Sequence, residues 1–168
     1  ACERADIVPD IVTVSKALTG GVAPLSATIA TARVFDAFWS DDLDHRFTHG
    51  PTYSGHAMGC AIALASLKLF ETEPRLDQVR AMEARFRDGL DDLKDSATVA
   101  DVRINGAVAA VELAHTPDPV AQRERFIEAG VWVRPLGNVI YLTPSYVIDD
   151  ADLARLIDAV RAEAMRAG

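Results

Sequence analysis

Asp10-Ile11-Val12-Thr13-Val14-Ser15-Lys16-Ala17-Leu18-Thr19-Gly20-Gly21 decides how the rest of the chain is read. Ile7 to Val14 is an apolar, β-branched run broken by Pro9 and Asp10, and its piece Asp10 to Val14 predicts a short buried strand. The strand ends on a lysine, and small residues and two glycines follow at once, which predicts a tight turn. A lysine becomes a nucleophile when desolvation or a neighbouring cation lowers its pKa. A strand end beside an apolar turn offers that setting to Lys16. The same spacing also suits a solvated lysine on an exposed turn, and spacing alone favours that plainer reading.

Working outward, Leu25 to Thr31 predicts a second strand and Ala32 to Trp39 a short helix, with Asp41 to His49 a polar loop. Ser54 to Thr72 is rich in alanine and predicts a long, well-buried helix that Pro74 ends. The change in composition there predicts a boundary between residues 1–73 and 74–168. In the second part, Leu76, Val79, Phe86, Leu90 and Leu93 share one helical face. Val99 to Ile104 and Ala107 to Leu113 predict two strands turning at Asn105-Gly106. Pro119 to Ala129 predicts a helix stopped by Gly130. Val131 to Arg134 and Val139 to Leu142 predict two more strands. Asp149 or Asp150 is placed to cap a last helix striped with Leu153, Leu156, Ile157, Val160 and Ala164. The fold class is α/β: the end of a larger sheet, then a compact α+β module.

The chain is 168 residues long, 49% hydrophobic and carries a formal charge of −8. That balance supports a packed core and argues against electrostatic binding of nucleic acid or anionic membrane. No apolar run is long enough to span a membrane, and the first residues show no signal-peptide pattern. Cys2 and Cys60 form neither a CxxC nor a metal-ligand spacing, so a reducing, cytoplasmic setting is expected. The four histidines show no metal spacing either, and no metal is expected. The chain opens on Ala1 rather than an initiator methionine, as expected of a chain that is processed or cut from something longer.

Two further stretches hold chemistry. His49-Gly50-Pro51-Thr52-Tyr53-Ser54-Gly55 lies just ahead of the long helix, where hydroxyls and free N–H groups suit a phosphate. An ordinary helix cap by Thr52 or Ser54 fits equally well. Val133-Arg134-Pro135-Leu136-Gly137-Asn138 precedes Ile140-Tyr141-Leu142. An arginine there can fork onto a carboxylate, although most arginines in such turns are simply solvated.

The three stretches, in this order, resemble the class III aminotransferases, which are fold type I enzymes dependent on pyridoxal 5'-phosphate. The resemblance covers the whole chain. It implies that Lys16 carries the cofactor in Schiff-base linkage and that Pro51 and Thr52 contact its phosphate. It implies that Gly50 touches substrate, while Arg134, with Tyr141 nearby, holds a substrate carboxylate. It further implies a homodimer in which Thr52 serves the neighbouring subunit's site. Residues 1–73 would be the end of the large cofactor-binding domain and residues 74–168 the small C-terminal domain. Gly130-Val131-Trp132-Val133-Arg134-Pro135 and Ala17-Leu18-Thr19-Gly20-Gly21 with Leu25-Ser26-Ala27-Thr28 resemble the biotin-biosynthetic branch, in which S-adenosylmethionine or lysine is the amino donor. The alternatives are a branch acting on ω-amino acids or ornithine, and a non-catalytic fragment holding half a cofactor site. Tyr53 and Ser145 stand where relatives usually have phenylalanine and proline. The family's pyridinium-pairing aspartate and glycine–serine phosphate loop are expected upstream of Ala1.

Overall fold

A computed structural model describes residues 2–166. The chain divides into two compact units, Ala1–Glu73 and Pro74–Gly168.

The first unit opens with helix α1 (Cys2–Ala5), strand β1 (Ile11–Val14) and a 3-10 turn over Lys16–Thr19. Strand β2 (Ala27–Ala30) and helix α2 (Ala32–Asp36) follow, then a second 3-10 turn (Leu43–His45) and helix α3 (Ala57–Thr72). Strands β1 and β2 pair antiparallel, with Val14 opposite Ala27 and Ile11 opposite Ala30. Gly20 and Gly21, at φ +60° and +83°, turn the backbone through the left-handed region between the strands, a conformation glycine adopts without a Cβ clash.

Helix α3 departs from expectation in two ways. It starts at Ala57, and neither Thr52 nor Ser54 caps it; the His56 side chain does, its Nδ1 accepting from Gly59 N at 3.3 Å. It is also not buried: only Gly59 and Ala63 lie inside, while Met58, Leu64, Leu67 and Phe70 are exposed, Leu64 by 67%. The reason is geometric. Apolar residues ring the whole helix, and within this unit only one stripe meets the lysine turn.

The second unit has a true core. It runs helix α4 (Arg75–Leu90), a 3-10 turn (Asp91–Asp95), strands β3 (Val99–Asn105) and β4 (Val108–Leu113), helix α5 (Pro119–Glu128), strand β5 (Val139–Leu142) and helix α6 (Asp150–Ala164). The strands form one antiparallel meander, β3-β4-β5. Helices α4, α5 and α6 supply Phe86, Leu90, Phe126, Leu153, Ile157 and Val160 to the core, and the sheet supplies Val111, Leu113, Ile140 and Leu142. Burying each large side chain is worth about 1.5–3 kcal/mol.

Three expectations shift here. Leu76 is exposed, because it lies at the first turn of α4, before the helix meets the sheet. The hairpin turns on Gly106-Ala107, with Asn105 paired to Val108, one residue later than the Asn105-Gly106 reading. Val131 to Arg134 is not a strand. Val131 N is spent on Phe126 O at the end of α5, and Pro135 has no N–H to offer, so only an isolated bridge, Leu136 to Val139, precedes β5.

Polar contacts fix the helices to the sheet. Glu83 accepts from Gly106 N at 2.9 Å while Arg87, bonded to Glu83 at 2.8 Å, also donates to Ile104 O, which ties α4 to the hairpin. Arg125 meets the buried Glu163, 5% exposed, through Nε at 2.7 Å and a second nitrogen at 2.5 Å, joining α5 to α6. That bond raises the Arg125 pKa, the attraction of Glu163 adding to it against partial burial. Asp118 and Asp149 cap α5 and α6, accepting from Val120 N and Asp152 N, each at 2.8 Å.

Candidate active site

Lys16 is the first residue of the 3-10 turn, directly after the strand end and Ser15. Its position is held from both sides. Ser15 Oγ donates to Leu25 O at 3.2 Å, and Leu18 N donates to Ser15 O at 2.7 Å. Thr19, 2% exposed, donates its hydroxyl to Ala23 O at 2.5 Å. Lys16 itself is exposed and has no hydrogen bond or ion pair with any described residue. The desolvation expected at the strand end is therefore not supplied by this unit's residues. What the turn supplies is a fixed backbone beneath an unengaged amine.

Gly50 and Pro51 line an open cleft of about 1140 Å³ together with Ser26, Thr28, Arg46 and Ser54. Pro51 also borders a second cleft of about 980 Å³, between the lysine turn and α3, with Ser15, Leu18, Tyr53 and His56. Lys16 lines neither cleft, and neither does Thr52. Residues 52–55 make a turn on which Thr52 is exposed with its hydroxyl unengaged by any described residue. Within unit one, then, Lys16 and Thr52 are not brought into one cavity.

In the second unit, Arg134 follows the buried Val133 and precedes Pro135, and its exposed guanidinium has no partner among the described residues. Most arginines of this unit are engaged: Arg85, Arg87, Arg103, Arg125, Arg155 and Arg161 all pair with carboxylates. A guanidinium on a restrained backbone with nothing to bind suits an outside carboxylate. Tyr141 alternates outward on β5 between the buried Ile140 and Leu142. Among the described residues, no cluster of His, Cys, Asp or Glu could hold a metal ion, and no helix is long and apolar enough to cross a membrane.

Sequence reasoning missed Thr19 and His56. A threonine or histidine near a turn carries no spacing signal of its own; only the fold shows that one is buried and the other caps a helix.

The sequence profile described as "Aminotransferase class-III" matches residues 1–163. The chain belongs to the class III aminotransferases. Its fold is accordingly the fold type I of pyridoxal-phosphate enzymes. This class III chain is 39% identical over 166 residues to the adenosylmethionine-8-amino-7-oxononanoate aminotransferase of Synechococcus elongatus, covering 95% of itself and 39% of that protein. It is 40% identical over 172 residues to the enzyme of the same name from Geobacter sulfurreducens, covering 38% of it. Among solved structures it superposes on the Methanocaldococcus jannaschii enzyme of that name with a TM-score of 0.82 and 31% identity, over 98% of this chain and 40% of that one. An amine transaminase from an uncultivated Pseudomonas species, in its PLP-bound form, gives a TM-score of 0.83 and 33% identity, over 99% of this chain and 40% of that one. The chain thus spans about two fifths of the length of the relatives it matches.

Proposed function

We propose that this chain is the C-terminal part of a pyridoxal 5'-phosphate-dependent aminotransferase that converts 8-amino-7-oxononanoate to 7,8-diaminononanoate in biotin biosynthesis, with S-adenosylmethionine as amino donor. The observation that carries the reading is Lys16: an unengaged amine on a clasped turn, in a chain that matches relatives of that one name along nearly its whole length. Residues 1–73 form the end of the large domain and residues 74–168 the small domain. The uncovered apolar faces of unit one, Leu64 and Phe35 among them, fit a surface packed under further structure.

The residues present fit the cofactor. Lys16 offers an amine that can hold the aldehyde covalently, and no described residue competes for it. Thr52, with Pro51 fixing the backbone before it, offers a hydroxyl to the phosphate, and acts across the interface of a homodimer. When bound, the cofactor supplies the electron sink that makes the donor's α-proton removable. With the cofactor bound, Lys16 Nζ would take that proton from the donor carbon and later return one to the carbon of the acceptor's keto group. Arg134 holds the acceptor's distal carboxylate as a bidentate pair, Tyr141 borders it, and Gly50 leaves room for substrate to pass close to the backbone. The setting is the cytoplasm, where Cys2 and Cys60, both unpaired, stay reduced.

Borohydride reduction of the full-length holoenzyme and peptide mapping tests the reading. A pyridoxyl group on Lys16 is expected, and one on Lys68 or Lys94 would overturn it. For the dimer, a Lys16→Ala subunit mixed with a Thr52→Ala subunit is expected to regain activity; no recovery would place both residues in one subunit's site.

A further inference from the structure

We propose that Thr19 is a positioning residue for Lys16, acting through the backbone of the lysine turn; the inference rests on the function proposed above. Unit one has almost no core. Its buried described residues are Thr19, Gly59 and Ala63, so the one substantial side chain it seals away is a polar one, three residues beyond Lys16. A buried hydroxyl persists only when its hydrogen bond is made, and this one is spent on Ala23 O. The Thr19 carbonyl accepts from Val22 N at 3.2 Å, so one residue closes the far side of the turn through both side chain and main chain. On the near side, Gly20 N returns to Ala17 O at 3.2 Å and Leu18 N to Ser15 O.

The pairing of Val14 with Ala27 makes everything between them a closed loop. An unclasped loop of that kind would let the Lys16 amine wander. Ser15, bonded to Leu25 O, clasps one side, and it is exposed, so water competes for the bond. Thr19 clasps the other side where water does not reach. Helix α3 roofs the turn closely: a Cβ at Gly20 would lie 3.6 Å from Ser66 Oγ. The turn is therefore seated by Thr19 below the helix, and the seat fixes where Lys16 starts.

The test uses the full-length holoenzyme. Thr19→Val keeps the shape and removes the donor; Thr19→Ser keeps the donor. A 1 Å misplacement costs roughly hundredfold in rate, and the loosened seat in Thr19→Val is expected to lower kcat by roughly ten- to a hundredfold with little change in KM. The pH midpoint of the bound cofactor's visible absorbance should also move, because it reports the surroundings of the Lys16 nitrogen rather than turnover. Thr19→Ser should restore both. Thr72→Val, which removes a comparable hydroxyl bond to Lys68 O at the exposed end of α3, should change neither. An unmoved midpoint in Thr19→Val, or a fall in kcat that tracks thermal stability and is not restored by serine, overturns the proposal. If Thr19→Val does not fold, Thr19→Ala carries the test: a midpoint moved in Thr19→Ala and kept in Thr19→Ser supports the proposal, and an unmoved one in Thr19→Ala overturns it. Reductive labelling separates the two readings. A label away from Lys16 overturns the function and this inference together, whereas a label on Lys16 with an unmoved midpoint overturns this inference alone.

Discussion

Arg134 stands on a short piece of backbone with little freedom, Val133 buried behind it and Pro135 fixing the next φ. Its worth is read by removal. Taking away one partner of a desolvated ion pair costs about 2–5 kcal/mol. At about 1.4 kcal/mol per decade, Arg134→Ala in the full-length enzyme is expected to lower kcat/KM for 8-amino-7-oxononanoate by roughly one and a half to three and a half decades. Arg134→Lys should not recover it, since an ammonium cannot present two parallel N–H groups. The cofactor's absorbance should stay as in the wild type, and an acceptor lacking the distal carboxylate should be insensitive to the change. Steady-state kinetics with both acceptors checks this; equal losses on the two would make Arg134 structural. The placement of Lys16 just after a strand and of Arg134 ahead of the Gly137-Asn138 turn was legible in the sequence. Their lack of partners was not, because nothing in the spacing says whether an arginine finds a carboxylate in the fold.

Helix ends and helix seams set the stability of the second unit. Asp118 caps α5 by accepting from Ala121 N and Val120 N, and these bonds, the Ala121 one first, hold its carboxyl below the ordinary range. A depressed carboxylate contributes stability that is present above its unfolded pKa, about 3.9, and lost as pH falls through its lower folded value. The α5 cap should therefore survive mild acid and fail only below that value. In Asp118→Asn the acid midpoint of unfolding should lose this contribution, which a pH titration followed by circular dichroism would show. Deeper in the seam, Gln122 is 1% exposed and its amide nitrogen has no partner among the described residues. An unsatisfied buried donor costs about 1–3 kcal/mol, so Gln122→Met is expected to raise stability by about 1 kcal/mol or more in chemical denaturation. The stripe of α6 was plain in the sequence, and Leu153, Ile157, Val160 and Ala164 are indeed its buried face. The supposed strand at Val131 to Arg134 misled because apolar β-branched residues suit an extended segment whether or not a neighbour pairs with it. The cap of α3 misled because hydroxyl residues abound before it, while the atom that bonds belongs to His56.

The two units differ in what holds them together. Unit two encloses Phe86 and Leu90 completely and satisfies its helices against one sheet, whereas unit one keeps most of its apolar residues on the surface. Phe86→Ala should therefore cost about 3–5 kcal/mol and unfold unit two, measured by urea denaturation of the purified chain. The purified 168-residue chain should show no transaminase turnover, with a direct amine-transfer assay as the check. The α+β character of the second half followed from its alternating stretches and turns. The openness of the first half did not follow, because an apolar residue in a sequence looks the same whether its covering partner lies in this stretch of chain or outside it.

The β3-β4 hairpin, tied to α4 through Glu83 and Gly106, has a consequence measurable in time. Its strands adjoin in sequence, so pairing them closes only a short loop, and contacts of that kind form early. The helix that covers them joins from just upstream. Amide protons of Ala109, Val111 and Leu113, shielded beneath the helices, should then be the last in the chain to swap for deuterium, in step with whole-unit opening. Those of the lysine turn, shut by a single buried hydroxyl, should swap orders of magnitude sooner. One chain would keep two clocks, the slower in the half that carries Arg134 and the faster in the half that carries Lys16.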